Sequence, residues 1–263
     1  MTLVSIVTPS LNQARFLREA IESVRAQTHS SVEHIVVDGG STDGTLGVLA
    51  EYGDVRWVSE PDHGQSHALN KGFAMAQGDV FGWLNADDAY EPHAVAEALA
   101  ALNDVGLVYA DVIRVNDDRV NPRRIRSRPT WDAWTEVNEG NGIFSPAVFF
   151  TRAAFDAVDG ADESLHLTMD YDLWLKIGTR FGARHVDSVW GIQRLHDDAK
   201  SIRRSHDFWP ERLVVSRRHG GRLLSPLVVR RYVAQPRLRN LVTRMVGAAY
   251  AVAEGRSRPH RES

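Results

Sequence analysis

Residues 79–92 read DVFGWLNADDAYEP. Asp79–Leu84 is a short apolar run of strand length, and it delivers two adjacent carboxylates, Asp87 and Asp88, at its end. Glu91-Pro92 then suits the first turn of a helix, which the alanine-rich stretch to Leu102 continues. Adjacent like charges repel, and acids at a strand end cost stability unless something balances them. A solvated turn with a helix cap is one reading, and a cation site is the other.

The same strand–loop–helix order repeats upstream. Leu3–Thr8 is a β-branched run ended by Pro9, and a helix follows over about Asn12–Gln27, with Phe16, Ala20 and Val24 along one line. His34–Val37 runs into Asp38-Gly39-Gly40, and Val55–Val58 runs into Glu60-Pro61-Asp62 ahead of a helix over Ser66–Ala76. Regular alternation predicts an α/β fold with a mostly parallel central sheet flanked by helices. Ligands bind such sheets outside the carboxyl ends of the strands. Four polar clusters fall there: Pro9-Ser10, Asp38–Gly40, Glu60–Asp62 and Asn85–Asp88. After Leu102 the pattern changes, with strand candidates at Gly106–Ala110, Val112–Val115 and Phe144–Phe150 and a helix at Met169–Thr179.

The 263-residue chain has 43% hydrophobic and 25% charged residues, ordinary for a globular protein with a full-sized core. It contains no cysteine, which excludes disulfides, thiolate metal sites and cysteine nucleophiles. MTLVSIVTPSLNQ carries no basic segment followed by a long apolar one, so no signal peptide is expected. No apolar run approaches the roughly 20 residues that span a bilayer. A cytoplasmic protein is the expectation. From Lys200 onward fifteen basic residues face four acids, a formal +11, so with a net charge of −3 residues 1–199 carry −14. That asymmetry sets the tail apart. The sequence divides into a body, 1–204 (halves 1–102 and 103–204), and a basic helical C-terminal extension, 205–263.

Five segments in order carry a family resemblance: SIVTPSLNQARFLREAIESVRAQTH (5–29), VVDGGSTDGT (36–45), SEPDHGQSHALNKGFAMAQGDVFGWLNADD (59–88), MDYDLWLKIG (169–178) and QRLHDDAKS (193–201). Together they resemble the large family of inverting glycosyltransferases that includes cellulose, chitin and hyaluronan synthase catalytic domains. The resemblance implies a GT-A fold and transfer of a sugar from a nucleotide-diphosphate donor, UDP- or dTDP-linked, to a glycan, lipid-linked or small-molecule acceptor, as in polysaccharide or cell-envelope building.

By that resemblance Thr8, Pro9, Ser10 and Asp38 hold the nucleotide, with the Asp38 carboxylate facing a pyrimidine imide. Asp62, Gly64, Asn70 and Lys71 lie along the sugar diphosphate, where Gly64 allows close backbone approach and the following helix start favours phosphate. Asn85 and Ala86 complete the donor side. Asp87, Asp88 and His196 hold Mg²⁺ or Mn²⁺, a hard cation that favours few carboxylates plus phosphate oxygens. Asp170 is the general base that takes the acceptor proton. Lys200 and Ser201 are further phosphate contacts. The chain departs from the family pattern at Asn85, where an acid is usual, at Met169, where the pattern reads Glu-Asp, and at His67. A catalytically inactive sugar-nucleotide-binding or glycan-binding module of the same fold is the alternative.

The tail has two readings. Its apolar positions among arginines, Leu213 to Val229 and Leu241–Val252, suit helices lying on the anionic inner face of a membrane. Equally, the first helix can pack on the body with its arginines paired to the excess acids. Nucleic acid is not an expected partner, because the body is acidic and carries no recognition module.

Overall fold

The computed structural model describes residues 1–117, 120–200, 207–222 and 225–233. The stretch Leu241–Val252, one of those suited to a membrane surface by its sequence, and the contact expected of Ser201 lie outside these residues.

The chain runs β1 (Val4–Ser10), α1 (Ala14–Arg25), β2 (Val32–Asp38), α2 (Thr45–Ala50), β3 (Arg56–Ser59), α3 (Gln65–Met75), β4 (Val80–Trp83), β5 (Ala89–Tyr90) and α4 (Ala94–Ala101). It continues with β6 (Leu107–Asn116), β7 (Arg123–Ile125), α5 (Ala133–Glu139), a 3₁₀ turn (Ser145–Ala147), β8 (Val148–Thr151), α6 (Arg152–Asp156), α7 (Met169–Phe181) and β9 (Ala183–Leu195). Two further helices follow, α8 (Phe208–Arg218) and α9 (Pro226–Val233).

One sheet holds the strands in the order β3-β2-β1-β4-β8-β6-β9-β5, with β7 on β6. The first four are mutually parallel, as regular alternation requires. Beyond β4 the sheet is mixed. β8 runs against both β4 and β6, whereas β9 runs parallel to β6. The change falls where the strand–helix alternation stops in the sequence, after Leu102. The two strand candidates in 106–115 are one strand, irregular at Tyr109–Val112.

Period-two alternation places the core on both faces. Val7, Phe81 and Phe150 point to the face covered by α3 and α7, where they meet Phe73, Trp174 and Ile177. Ile6, Val80 and Phe149 point to the other face and pack with Val95, Ala98 and Trp190. Trp174 and Trp190 are fully buried, and removal of each such ring from water stabilises the fold by about 3 kcal/mol. Both layers hold the carboxyl ends of β1, β2 and β4 at one rim.

Helix α8 packs on α5 and α7, and α9 on α5. Arg218 pairs with Asp162 at 2.5 Å and approaches Asp172 at 3.4 Å, and His219 Nε2 lies 2.9 Å from the same Asp172 carboxylate. The first tail helix therefore rests on the body through its charges. No helix among the described residues is long and apolar enough to cross a membrane.

Candidate active site

A cleft of about 530 Å³ opens at the strand rim. Its walls come from the end of β1, the loop before α3, the β4–β5 link, the 141–145 loop, the start of α7, the end of β9 and the first turns of α8. Of the residues expected to bind donor or metal or to act as base, Pro9, Ser10, Asp62, Gly64, Asn85, Ala86, Asp87, Asp88 and Asp170 line it together.

At the end of β1 Ser10 Oγ is buried with no hydrogen-bond partner among the described residues. Asp62 Oδ1 accepts the Gly64 backbone N–H at 2.9 Å. Gly64 has φ +118°, which a side chain would strain, and α3 starts at the next residue. Gly39 matters for the space it leaves. A β-carbon there would stand 2.7 Å from Asp62 Oδ2, so its absence lets that carboxylate approach the β2 loop.

Four expected donor contacts sit behind the cleft wall. The Asp38 carboxylate is fully buried and accepts from Gly40 N, Ser41 N, Ser41 Oγ and Ser59 Oγ at 2.5–3.1 Å. With both oxygens committed, it shapes the β2 loop. Thr8 Oγ1 meets His34 Nε2 at 2.9 Å beneath the surface. Asn70 ties α3 to Ala161 and Glu163, and Lys71 pairs with Glu60 at 2.6 Å.

The opening stretch resolves into an ordered corner. Asn85 Oδ1 accepts from Gln65 Nε2 and Trp83 Nε1, both at 2.8 Å, and its Nδ2 donates to Asp88 Oδ2 at 3.1 Å. Asp88 Oδ1 accepts the Arg194 backbone N–H at 3.0 Å. Burial, then the neighbouring Asp87 charge, push the Asp88 carboxyl well above the ordinary range. Asp88 thus serves as an internal brace between β4 and β9. Asp87 differs. It is part-exposed on the cleft, and its Oδ2 meets His196 Nε2 at 3.0 Å. The hydrogen bond to Asp87 raises the His196 pKa, and Phe16 packs on the imidazole at 4.6 Å between ring centres. His196 reaches the site through Asp87. Among the described residues no group of three or more His, Asp or Glu could hold a metal unaided.

Across the cleft Asp170 is the second residue of α7. It is not the helix cap, which is Thr168. Its Oδ2 accepts from Asn141 Nδ2 at 3.0 Å and lies 3.5 Å from Ser145 Oγ. Burial raises its pKa above the ordinary carboxylate value. Asp172, two positions on, faces away and is fully buried against Lys176 and His219.

Several site residues carry no sequence signal of their own. Gln65 bridges Asn85 and Lys200, whose Nζ donates to Gln65 Oε1 at 2.9 Å. Arg194 joins Asp88, the Asp87 carbonyl and Glu19. Asn141 and Ser145 come from a loop with no motif, and Phe208 and Arg212 come from α8.

The fold is of the GT-A type. The family described as Glycosyl transferase family 2 matches residues 5–157, more than half of the chain, and the chain belongs to that family. An uncharacterized glycosyltransferase of Rickettsia conorii is 32% identical over 76% of this chain and 35% of its own length. A hyaluronan synthase of Pasteurella multocida is 31% identical over 77% of the chain and 21% of its own length. The chain spans about a third of the Rickettsia conorii protein and 64% of a Rickettsia typhi relative. S. aureus TarS 1-349 in complex with UDP-GlcNAc superposes with a TM-score of 0.66 at 16% identity, covering 82% of this chain and 66% of that one. Mannosyltransferase PcManGT from Pyrobaculum calidifontis, in complex with GDP-Man and Mn²⁺, gives 0.61 at 16% identity, covering 92% and 83%.

Proposed function

We propose that the chain transfers a sugar from a UDP- or dTDP-linked donor to a hydroxyl of a glycan, lipid-linked or small-molecule acceptor, with inversion at the sugar carbon. The observation that carries this reading is the shared cleft. Asp87 on one wall and Asp170 on the other face a single volume large enough for a nucleotide sugar.

Asp87, a cleft-facing carboxylate braced by His196, fits a divalent cation that brings its remaining oxygen ligands with a diphosphate. When bound, Mg²⁺ or Mn²⁺ there supplies charge stabilisation for the departing nucleoside diphosphate. The chain's own residues do the rest. Ser10, Asp62 and the N–H groups at the start of α3 hold the donor. Asn85 is already bonded to Gln65, Trp83 and Asp88, so its task is to fix the corner that presents Asp87. An amide does this without adding a third charge beside two acids. Asp170, oriented by Asn141 and Ser145, takes the acceptor proton as the new C–O bond forms. Its raised pKa strengthens it as a base. The displacement is a single step and needs no covalent sugar–enzyme intermediate.

The test is a panel of nucleotide sugars with Mg²⁺ or Mn²⁺, scored for thermal protection and for slow donor hydrolysis. Protection and turnover with at least one donor are expected. Protection without turnover, for every donor and acceptor tried, would favour a binding module. The absence of protection by any nucleotide diphosphate with either metal would remove the donor assignment.

A further inference from the structure

The C-terminal helix α8 brings an arginine to the acceptor side of the cleft, near Asp170 but without an ion pair or hydrogen bond among the described residues. Arg212 lines the cleft one helical turn after Phe208, so the two share a face. Its guanidinium lies 5.8 Å from the Phe208 ring and 5.9 Å from the Trp209 ring. The other cleft cations are engaged. Arg114 donates to Gln193, Arg194 to Glu19, and Lys200 to Gln65. Arg212 makes no hydrogen bond or ion pair among the described residues. A part-buried guanidinium whose five donors are unused among the described residues, lying near ring faces and close to Asp170, can accept a carboxylate or phosphate.

Its position is fixed. The adjacent Glu211 carboxylate accepts the backbone N–H groups of His166, Leu167 and Thr168 at 2.8–3.2 Å, in the segment that leads directly into Asp170. At the far end of the helix Arg218 and His219 lock onto Asp172. Arg212 is thereby held beside Asp170, and its charge offsets part of the burial that raises the Asp170 pKa.

We propose that Arg212 is an acceptor-recognition residue and that the acceptor carries an anionic group, a sugar carboxylate or a phosphate, near the hydroxyl that is glycosylated. This inference rests on the transferase reading, because it takes the Asp170 wall as the acceptor side. An anion placed beside Asp170 without a cation would be repelled by the base. Arg212 bonds the anion and screens both charges. Phe208 adds an apolar face for a sugar ring.

The experiment uses the full chain. Binding of methyl β-glucuronide, glucose 6-phosphate and neutral methyl β-glucoside is measured by ligand-detected NMR, with and without UDP and Mn²⁺. The wild type is expected to bind at least one anionic sugar about tenfold or more tightly than the neutral one, as a charge-assisted bond implies. R212Q should erase that preference, and R212K should keep part of it. Whichever anionic sugar responds names the source, carboxylate or phosphate. UDP affinity, titrated in parallel, should change little in R212Q. An absence of anionic preference in the wild type overturns the proposal. So does an R212Q loss of UDP affinity as large as the loss for the sugars, since the arginine then serves the donor diphosphate. Failure of the wild type to bind any nucleotide would count against the transferase reading, a separate outcome.

Discussion

Glu211→Ala tests how the tail helix supports the body. The Glu211 carboxylate accepts three consecutive backbone N–H groups, from His166, Leu167 and Thr168, and lies 3.3 Å from Thr168 Oγ1. It anchors the segment that enters α7 at the N-cap position, Thr168. Hydrogen bonds to a charged group contribute about 1.5–3 kcal/mol each, but these share two oxygens and are not additive. His166 is exposed and can turn to water, whereas Leu167 and Thr168 are buried and cannot. A net loss of about 2–3 kcal/mol follows, mostly from the two buried N–H groups. For a chain of this size that lowers Tm by roughly 4–10 °C, and Glu211→Gln, which keeps one acceptor oxygen, should lose about half as much. Because the freed segment carries Asp170, kcat should fall more than KM rises. Thermal unfolding and donor turnover of the two variants beside wild type are the assay. A Glu211→Ala protein melting within about 1 °C of wild type with an unchanged kcat would refute the anchor and its link to Asp170.

Two further outcomes concern buried carboxylates. For Asp172, burial opposes ionisation, but hydrogen bonds from His219 and Lys176 outweigh it and hold the carboxyl below its ordinary value. Its stabilisation is therefore present above the usual carboxylate pKa and is lost as pH falls through the lowered one. Asp172→Asn leaves Lys176 without its carboxylate while Arg218 keeps Asp162, should cost about 3 kcal/mol at pH 7 by urea unfolding, and should flatten the acid limb of stability. Asp170 has the opposite shift, so the acid limb of kcat/KM should lie above the ordinary carboxylate range, with activity rising as pH increases through it. A limb at the ordinary aspartate value would mean that Asp170 is not the titrating base. His196→Ala removes the bond that orients Asp87, and the Mn²⁺ concentration needed for UDP binding should rise by about 10–100-fold.

How much of this was legible in the residues differs by region. Through Leu102 the strands, their parallel order and the rim clusters follow from period-two and period-3.6 apolar patterns punctuated by Pro, Gly and Asp. The mixed half was less readable. β9 alternates weakly because it is half-buried along most of its length, and β5 is only two residues long. In the site, Asp62, Asp87 and Asp170 sit on the cleft where motif position puts them. Asp38 and Asn70 read as donor contacts from their motifs, yet their side chains are bonded into loops. A linear sequence does not show which of two adjacent acids turns outward, as Asp87 does, and which turns in to meet a distant backbone N–H, as Asp88 does with Arg194. The α8 contribution was hidden for a similar reason. Its arginines read equally as membrane-facing or as paired with the excess acids of the body, and nothing in the linear sequence shows that the partners of Arg218 are Asp162 and Asp172.

The division of labour across the cleft is tested most directly by titrating UDP with Mn²⁺ into wild type, Asp87→Asn and Asp170→Asn, and by following donor turnover in the same three proteins. Asp170→Asn should bind the nucleotide as wild type does while turnover falls by at least a hundredfold, the scale of a general base. Asp87→Asn should lose the metal-dependent part of binding together with turnover. Equal loss of nucleotide affinity in both variants would contradict the separation of a donor wall from an acceptor wall.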